Sequence, residues 1–407
     1  MTKIPYIPRI ADSFLESGLR RAGAVLIEGP KGCGKTETAR QAAASEVQVD
    51  IDPEVSISME IDPRLVLQGE MPRLLDEWQV HPQLWNVVRH EVDDRQAPGQ
   101  FILTGSTASS EGASRHSGAG RFARLTMHTM TLSESGESNG NASLRGIAAG
   151  ETPALGSSSL TLEELVARIC RGGWPGYAQF SDSDVHTNLR DYVDTVAHVD
   201  ISTPDDVRRD PVRVRRVLQS LALGVGTELS IASIAVDTGL ARETVMDYLD
   251  SLQHIFISQD QPAWAASLRS RTPLRKAPKR HLADPALAVA ALNKTPADLL
   301  RDLEYLGQLF ESLVVHELRA LTGQPVYHAR TATGDEVDAI VEVDGHTVFV
   351  EVKLGHRKEV VDRAASSLLK FADSLSEPAT LLVITGGGLS YRRPDGVNVV
   401  AIGELGP

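Results

Sequence analysis

Short unbroken runs of apolar residues punctuate the first hundred positions. Residues 24–28 (Ala-Val-Leu-Ile-Glu) lead straight into a glycine-rich stretch, and similar runs fall at 47–51, 73–75 and 101–104. Apolar runs without alternation predict strands buried on both faces, the habit of a parallel sheet. Helical spacing fills the gaps at 35–44 and 83–93. Strands alternating with helices predict an α/β layer, a parallel sheet with helices on both faces.

The pattern then changes. Residues 134–160 are rich in Ser, Gly, Asn and Ala and poor in large apolar side chains, which is loop or linker composition. Helical periodicity resumes at 162–170, is cut by Gly172-Gly173-Trp174-Pro175, and continues at 185–199 and 211–223. Ser230 can cap a short helix at 231–236, and Asp237-Thr238-Gly239 turns the chain. A second helix at 241–252 then places Val245, Tyr248 and Leu252 on one face. With a wing strand at 255–258, this is the outline of a winged helix-turn-helix. Beyond it the pattern predicts an amphipathic helix at 306–321, strands at 326–329, 337–343 and 347–354, a helix at 360–375, and strands at 379–385 and near 397–402. No internal repeat is present. Four parts are expected, at 1–160, 161–205, 206–300 and 301–407.

Composition narrows the class. The chain has 407 residues, 42% hydrophobic and 23% charged, as expected of a globular protein of more than one domain. Its two cysteines, Cys33 and Cys170, are too few and too far apart for a disulfide framework or a zinc site. No run approaches the ~20 apolar residues of a membrane helix, and the first twelve residues lack a secretory apolar core. A soluble, cytoplasmic protein is expected. The net charge of −13 argues against general nucleic-acid binding, but twelve Lys or Arg against seven Asp or Glu between 207 and 280 make that stretch basic.

The glycine-rich stretch carries the sharpest chemistry. Gly29-Pro30-Lys31-Gly32-Cys33-Gly34-Lys35-Thr36 fits G-x-x-x-x-G-K-[ST] between a predicted strand and a predicted helix. There the glycines let backbone N–H groups cradle phosphates at a helix N-terminus. Lys35 is expected on the β- and γ-phosphates of ATP and Thr36 on Mg²⁺. Two apolar residues before two acids, Leu74-Leu75-Asp76-Glu77, suit a strand ending at the nucleotide. Asp76 would support Mg²⁺ and Glu77 would activate the attacking water. The next strand ends in Leu103-Thr104-Gly105-Ser106, where Thr104, or else Ser106, could sense the γ-phosphate. Arg115 and Arg121 flank Ser117-Gly118-Ala119-Gly120. Arg121 is the candidate for stabilising transition-state charge, acting in a neighbouring subunit if the protein forms a ring, with Arg115 the alternative.

These residues resemble the bacterial and archaeal AAA+-type ATPases with a C-terminal domain of unknown function numbered 4143. The resemblance is carried by Tyr6-Ile7-Pro8-Arg9, the P-loop, residues 72–79, 99–106, 115–121 and 172–175, Leu309-Phe310-Glu311 and residues 335–353. It implies an ATPase core with Arg9 beside the nucleotide, a winged-helix segment and a PD-(D/E)xK nuclease-like C-terminal fold. The insert at 134–160 is longer than the resemblance leads one to expect.

Within that C-terminal segment, Asp338 lies on one predicted strand and Glu351-Val352-Lys353 on the next. Period-2 alternation puts Glu351 and Lys353 on one face, where Glu311 could join them. Asp338 and Glu351 would hold Mg²⁺ or Mn²⁺ through oxygen, and Lys353 would stabilise developing charge. The alternative is a half-exposed polar hairpin. In the basic middle, Arg269, Arg271, Arg275, Lys276, Lys279 and Arg280 fall in twelve residues without an acid, and prolines keep the stretch extended. Arg275, Lys276, Lys279 and Arg280 could follow a phosphate backbone, while Arg242 and Thr244 are the contacts available on the recognition-helix candidate. Three readings result: an oligomeric AAA+-type ATPase that acts on DNA as a motor or remodeller, an ATP-gated Mg²⁺-dependent nuclease, and a nucleotide-switched protein-interaction module.

Overall fold

The structure is a computed structural model and describes residues 5–106, 118–203, 205, 207–265, 276–330, 334–375 and 378–407. Helix α1 (Ile10–Arg21) opens the first layer. It is followed by β1 (Ala24–Glu28), α2 (Lys35–Ala42), β2 (Ser45–Gln48), α3 (Pro53–Ile61), β3 (Arg73–Asp76), α4 (Leu84–Arg95), β4 (Phe101–Gly105) and β5 (Phe122–Thr126). All five strands are parallel, in the order β2-β3-β4-β1-β5. Alternate residues serve opposite faces, as the pleat requires. Val25, Leu74 and Ile102 pack with Leu15 of α1 and Ala39 of α2, whereas Leu26, Leu75 and Leu103 pack with Leu84 and Val88 of α4. Burial on both faces explains why the inner strands β1, β3 and β4 read as unbroken apolar runs. β2 ends at Gln48, short of the expected 51, because Asp52 caps α3 by accepting from Glu54 N (2.9 Å) and Pro53 starts the helix.

The chain continues through α5 (Leu132–Ser135), β6 (Ala142–Ser143), α6 (Leu144–Ala148) and β7 (Gly156–Ser157) into a helical region. That region comprises α7 (Leu162–Arg171), α8 (Asp182–His198), α9 (Pro211–Leu223), α10 (Ile231–Thr238), α11 (Arg242–His254), α12 (Pro285–Ala291) and α13 (Pro296–Leu299). Ser230 caps α10, and Gly239 in the left-handed region (φ 69°) turns the chain into α11, so the helix-turn-helix is present. Its wing is a loose ladder: Ser258 pairs with Leu282 and Gln261 with Lys279, both antiparallel.

The last part holds α14 (Leu303–Thr322), β8 (Val326–Arg330), β9 (Glu336–Val343), β10 (His346–Lys353), α15 (Lys358–Asp373), β11 (Thr380–Thr385), β12 (Leu389–Arg392), β13 (Asn398–Ala401) and β14 (Leu405–Gly406). The sheet order is β7-β12-β13-β11-β10-β9-β8, with β8, β9 and β10 antiparallel and β10, β11 and β13 parallel. Val341, Val350 and Leu382 face α14, and Ile340, Phe349 and Val383 face α15.

Residues 134–160 are not a passive linker. β7 pairs with β12 and β6 with β14, and Ala142, Leu144, Ile147 and Ala148 are buried. Lack of bulk is what permits this: a Cβ on Gly406 would sit 2.7 Å from the Cα of Gly140. Among the described residues, no helix is long and apolar enough to cross a membrane.

Candidate functional site

All five parallel strands end on the edge that carries the P-loop. Gly29 adopts φ 151°, and a Cβ there would lie 2.2 Å from Met127 O, so only glycine fits. Gly34 (φ 107°) is the N-cap of α2. Lys35 Nζ donates to Gly29 O (2.9 Å) and Pro30 O (3.0 Å), which holds the ammonium inside the loop. Thr36 Oγ1 donates to Asp76 Oδ1 (2.8 Å). Glu77 follows at φ 53° and accepts from Gln79 Nε2. A left-handed Glu is strained, and such strain is held where the surroundings fix it. A cleft of about 720 Å³ opens here, walled by Tyr6 and Ile7, the P-loop and the first turn of α2, Glu77, Gln79, Ser106, Pro175 and Gly176. Thr36, with Asp76 at the strand end, is a hydroxyl–carboxylate pair that fits Mg²⁺.

The helical region touches the same loop. Trp174 Nε1 and Tyr192 Oη donate to Lys31 O (3.1 and 3.2 Å), and Lys31 Nζ lies 2.6 Å from Asp200 Oδ1. Gly32 packs against the Trp174 ring.

The second cluster lies in the C-terminal sheet, where Glu311 (α14), Glu336 and Asp338 (β9), and Glu351 and Lys353 (β10) converge. Lys353 Nζ is 2.8 Å from Glu351 Oε1 and 3.5 Å from Asp338 Oδ2, which also accepts from Val352 N (2.8 Å). Lys279 enters from the wing. Its Nζ is 2.7 Å from Glu311 Oε1, 2.9 Å from Glu336 Oε1 and 3.9 Å from Asp338 Oδ1, and its side chain is 5% exposed. Burial opposes the Lys279 charge, but Glu311, Asp338 and Glu336 outweigh it and raise its pKa. Burial, and then the charge of Asp338, push the Glu311 and Glu351 carboxyls up to about 7. Glu351 Oε2 is buried without a hydrogen-bond partner, which suits a metal ligand. Yet the carboxylates that would join it face an ammonium, and among the described residues no three His, Cys, Asp or Glu are placed to hold one metal ion. The expected divalent ion does not fit this donor set.

Residues 21–136 match the AAA domain family, and residues 306–405 match a domain of unknown function, DUF4143. The chain carries an AAA-type ATPase domain of the P-loop fold and a C-terminal DUF4143 domain. Residues 162–298 of the ATPase match a further domain of unknown function, DUF8612. Over 400 residues it is 27% identical to two uncharacterized proteins, Mb2031c of Mycobacterium bovis and Rv2008c of Mycobacterium tuberculosis, covering 97% of this chain and 83% of each relative. The Walker-type ATPase PABY2304 of Pyrococcus abyssi superposes at a TM-score of 0.39 and 12% identity over 69% of this chain and 94% of that one.

Several expected site residues sit differently in the ATPase. Arg9 lines the cleft, but its guanidinium is engaged. It donates to Cys33 O (2.8 Å) and His128 O (2.9 Å) and pairs with Glu134 (3.0 Å), so it braces the P-loop. Thr104 is fully buried and donates to Asp76 Oδ1 (2.5 Å), which makes it a positioning residue, while Ser106 reaches the cleft. Arg121 precedes β5 at the opposite end of the sheet from the P-loop and lies 2.6 Å from Asp93 Oδ1, so it cannot reach its own chain's nucleotide. Arg115 and Arg275 lie outside the described residues. Lys279 and Arg280 are not exposed to a nucleic-acid backbone. Lys279 is in the carboxylate cluster, and Arg280, also buried, pairs with Asp260 and donates to Leu229 O (3.2 Å). Lys276 is half-buried and donates to Arg330 O (2.7 Å). Arg242 is exposed and Thr244 half-buried on α11, but the exposed positions of that helix also carry Glu243, Asp247 and Asp250. Sequence reading assigned no role to Tyr6, Gln79 or Asp200. Tyr6 Oη donates to Asp12 Oδ1 (2.5 Å) and contacts Thr38 Oγ1 (3.0 Å). No local signal marks Asp200, whose partner Lys31 is 169 positions away.

Proposed function

We propose that the ATPase is a nucleotide-driven switch whose helical region presents its state to a protein partner. The observation that carries this reading is the grip on the P-loop tip by Trp174, Tyr192 and Asp200. A phosphate that draws Lys31 away from Asp200 changes what the helical region rests on. Lys35 turns from the Gly29 and Pro30 carbonyls to the phosphates. Thr36 and Asp76 would hold Mg²⁺, which neutralises phosphate charge when bound. Glu77 takes the proton of the attacking water, and Gln79 orients Glu77. Lys35→Ala removes turnover, whereas Glu77→Gln keeps ATP bound and unhydrolysed.

The acidic outer face of α11 disfavours nucleic acid as the partner. The helix-turn-helix itself, with Arg242 exposed at the start of α11, supports the second reading, an oligomeric ATPase that remodels DNA. In such an oligomer Arg121 would act in a neighbouring subunit after leaving Asp93. ATP turnover with Mg²⁺ and single-stranded, duplex or branched DNA separates the two. Turnover indifferent to every DNA supports the protein-partner switch, and stimulation by one form supports remodelling.

A further inference from the structure

We infer that Lys279 is a built-in cation standing where a nuclease-like fold would take a divalent ion, so that the DUF4143 cluster is an ionic joint and not a phosphodiester-cleaving centre. Lys279 is delivered rigidly. Its backbone exchanges hydrogen bonds with Gln261 (2.9 and 3.0 Å). Gln261 is itself fully buried, and its Nε2 donates to Tyr327 O (3.0 Å) and Asp338 O (2.9 Å), which pins the wing to β8 and β9 beside the cluster. Two residues on, His281 contacts Ser312 of α14 (3.0 Å) and Gln261 Oε1 (3.1 Å). The backbone that carries the lysine therefore cannot leave the cluster without breaking these buried hydrogen bonds.

The charges fit this role. Glu311, Glu336, Asp338 and Glu351 converge from three elements, and two ammonium groups, Lys279 and Lys353, divide them. The Nζ distances of 2.7 and 2.9 Å to Glu311 and Glu336 are those of charge-assisted hydrogen bonds. A divalent ion would need the same oxygens at about 2.0–2.6 Å around the position that Lys279 commands. Glu311 sits on the helix and Glu336 on the sheet, so the tethered ammonium joins the wing, α14 and β9 at one point.

The test uses the full-length protein without nucleotide, with Mn²⁺ as the probe. Mn²⁺ binding is measured by titration calorimetry, and supercoiled plasmid is incubated in the same buffer. Wild type is expected to show no Mn²⁺ equivalent that Glu351→Gln removes, and to leave the plasmid intact. Lys279→Met, which keeps the apolar stem, is expected to gain one Mn²⁺ equivalent, lost again in the Lys279→Met/Glu351→Gln double variant. A Glu351-dependent Mn²⁺ site or Glu351-dependent nicking in wild type overturns the inference, as does a folded Lys279→Met that binds no Mn²⁺. If Lys279→Met does not fold, the wild-type comparison with Glu351→Gln decides alone.

Discussion

Arg9 joins groups that no short-range pattern connects: the Cys33 carbonyl, the His128 carbonyl and the Glu134 carboxylate. Glu134 in turn accepts from Ile10 N (2.7 Å) and Thr131 N (2.8 Å), so the fork closes the base of the P-loop against both flanking helices. Arg9→Ala strands a buried carboxylate and two carbonyls. We expect a loss of about 3–5 kcal/mol in thermal unfolding together with a raised KM for ATP. Arg9→Lys restores the charge without the fork and should recover stability only in part. The P-loop and the Asp76-Glu77 pair were readable because each is a contiguous run with fixed local geometry. Arg9 as a brace, Asp200 as a latch and Lys279 as a counter-ion were not, because their partners are distant in sequence and become neighbours only through the fold. Lys279 also misled by context: a basic run without acids reads as exposed until the opposing carboxylates are placed.

Among the elements, most long ones with clear periodicity were legible, including β1 to β4 and the main helix–strand order of the DUF4143 domain, whereas α1, α3, β5 and β12 were not among the expected elements. The two-residue strands β6, β7 and β14 have no periodicity to detect. α12 is almost wholly apolar (Pro-Ala-Leu-Ala-Val-Ala-Ala) and buried, so it lacks the amphipathic stripe that marks a surface helix. The short strands matter nonetheless. Leu405 is 1% exposed, its carbonyl accepts from Ser138 Oγ (2.7 Å), and Pro407 O accepts from Ser143 Oγ (2.7 Å). Removing residues 405–407 should cost at least about 2 kcal/mol from the leucine alone. It should also open residues 140–148 to protease, read as a new cleavage in limited proteolysis and a lower melting temperature.

For the molecule as a whole, one buried carboxylate ties the three regions together. Asp284 accepts from Thr129 Oγ1 (2.8 Å) just beyond β5, from Gly173 N (2.9 Å) in the turn over the P-loop, and from Ala286 N (2.9 Å) at the start of α12. Thr129 also contacts His316 Nε2 of α14 (2.8 Å). Asp284→Ala leaves up to three buried donors unpaired, and at roughly 1–3 kcal/mol each the loss should exceed that of an ordinary core truncation. We expect a lower melting temperature and a smaller stabilisation by ATP; Asp284→Asn, which keeps one acceptor, should fall between. The pairing of β6 and β7 with β14 and β12 bears on synthesis as well. A ribosome releases residues 142–157 long before residues 389–406 exist, so the ATPase layer can close early while its tail waits for a strand to join. A product cut short before that point would display two bare edges that invite a neighbouring copy.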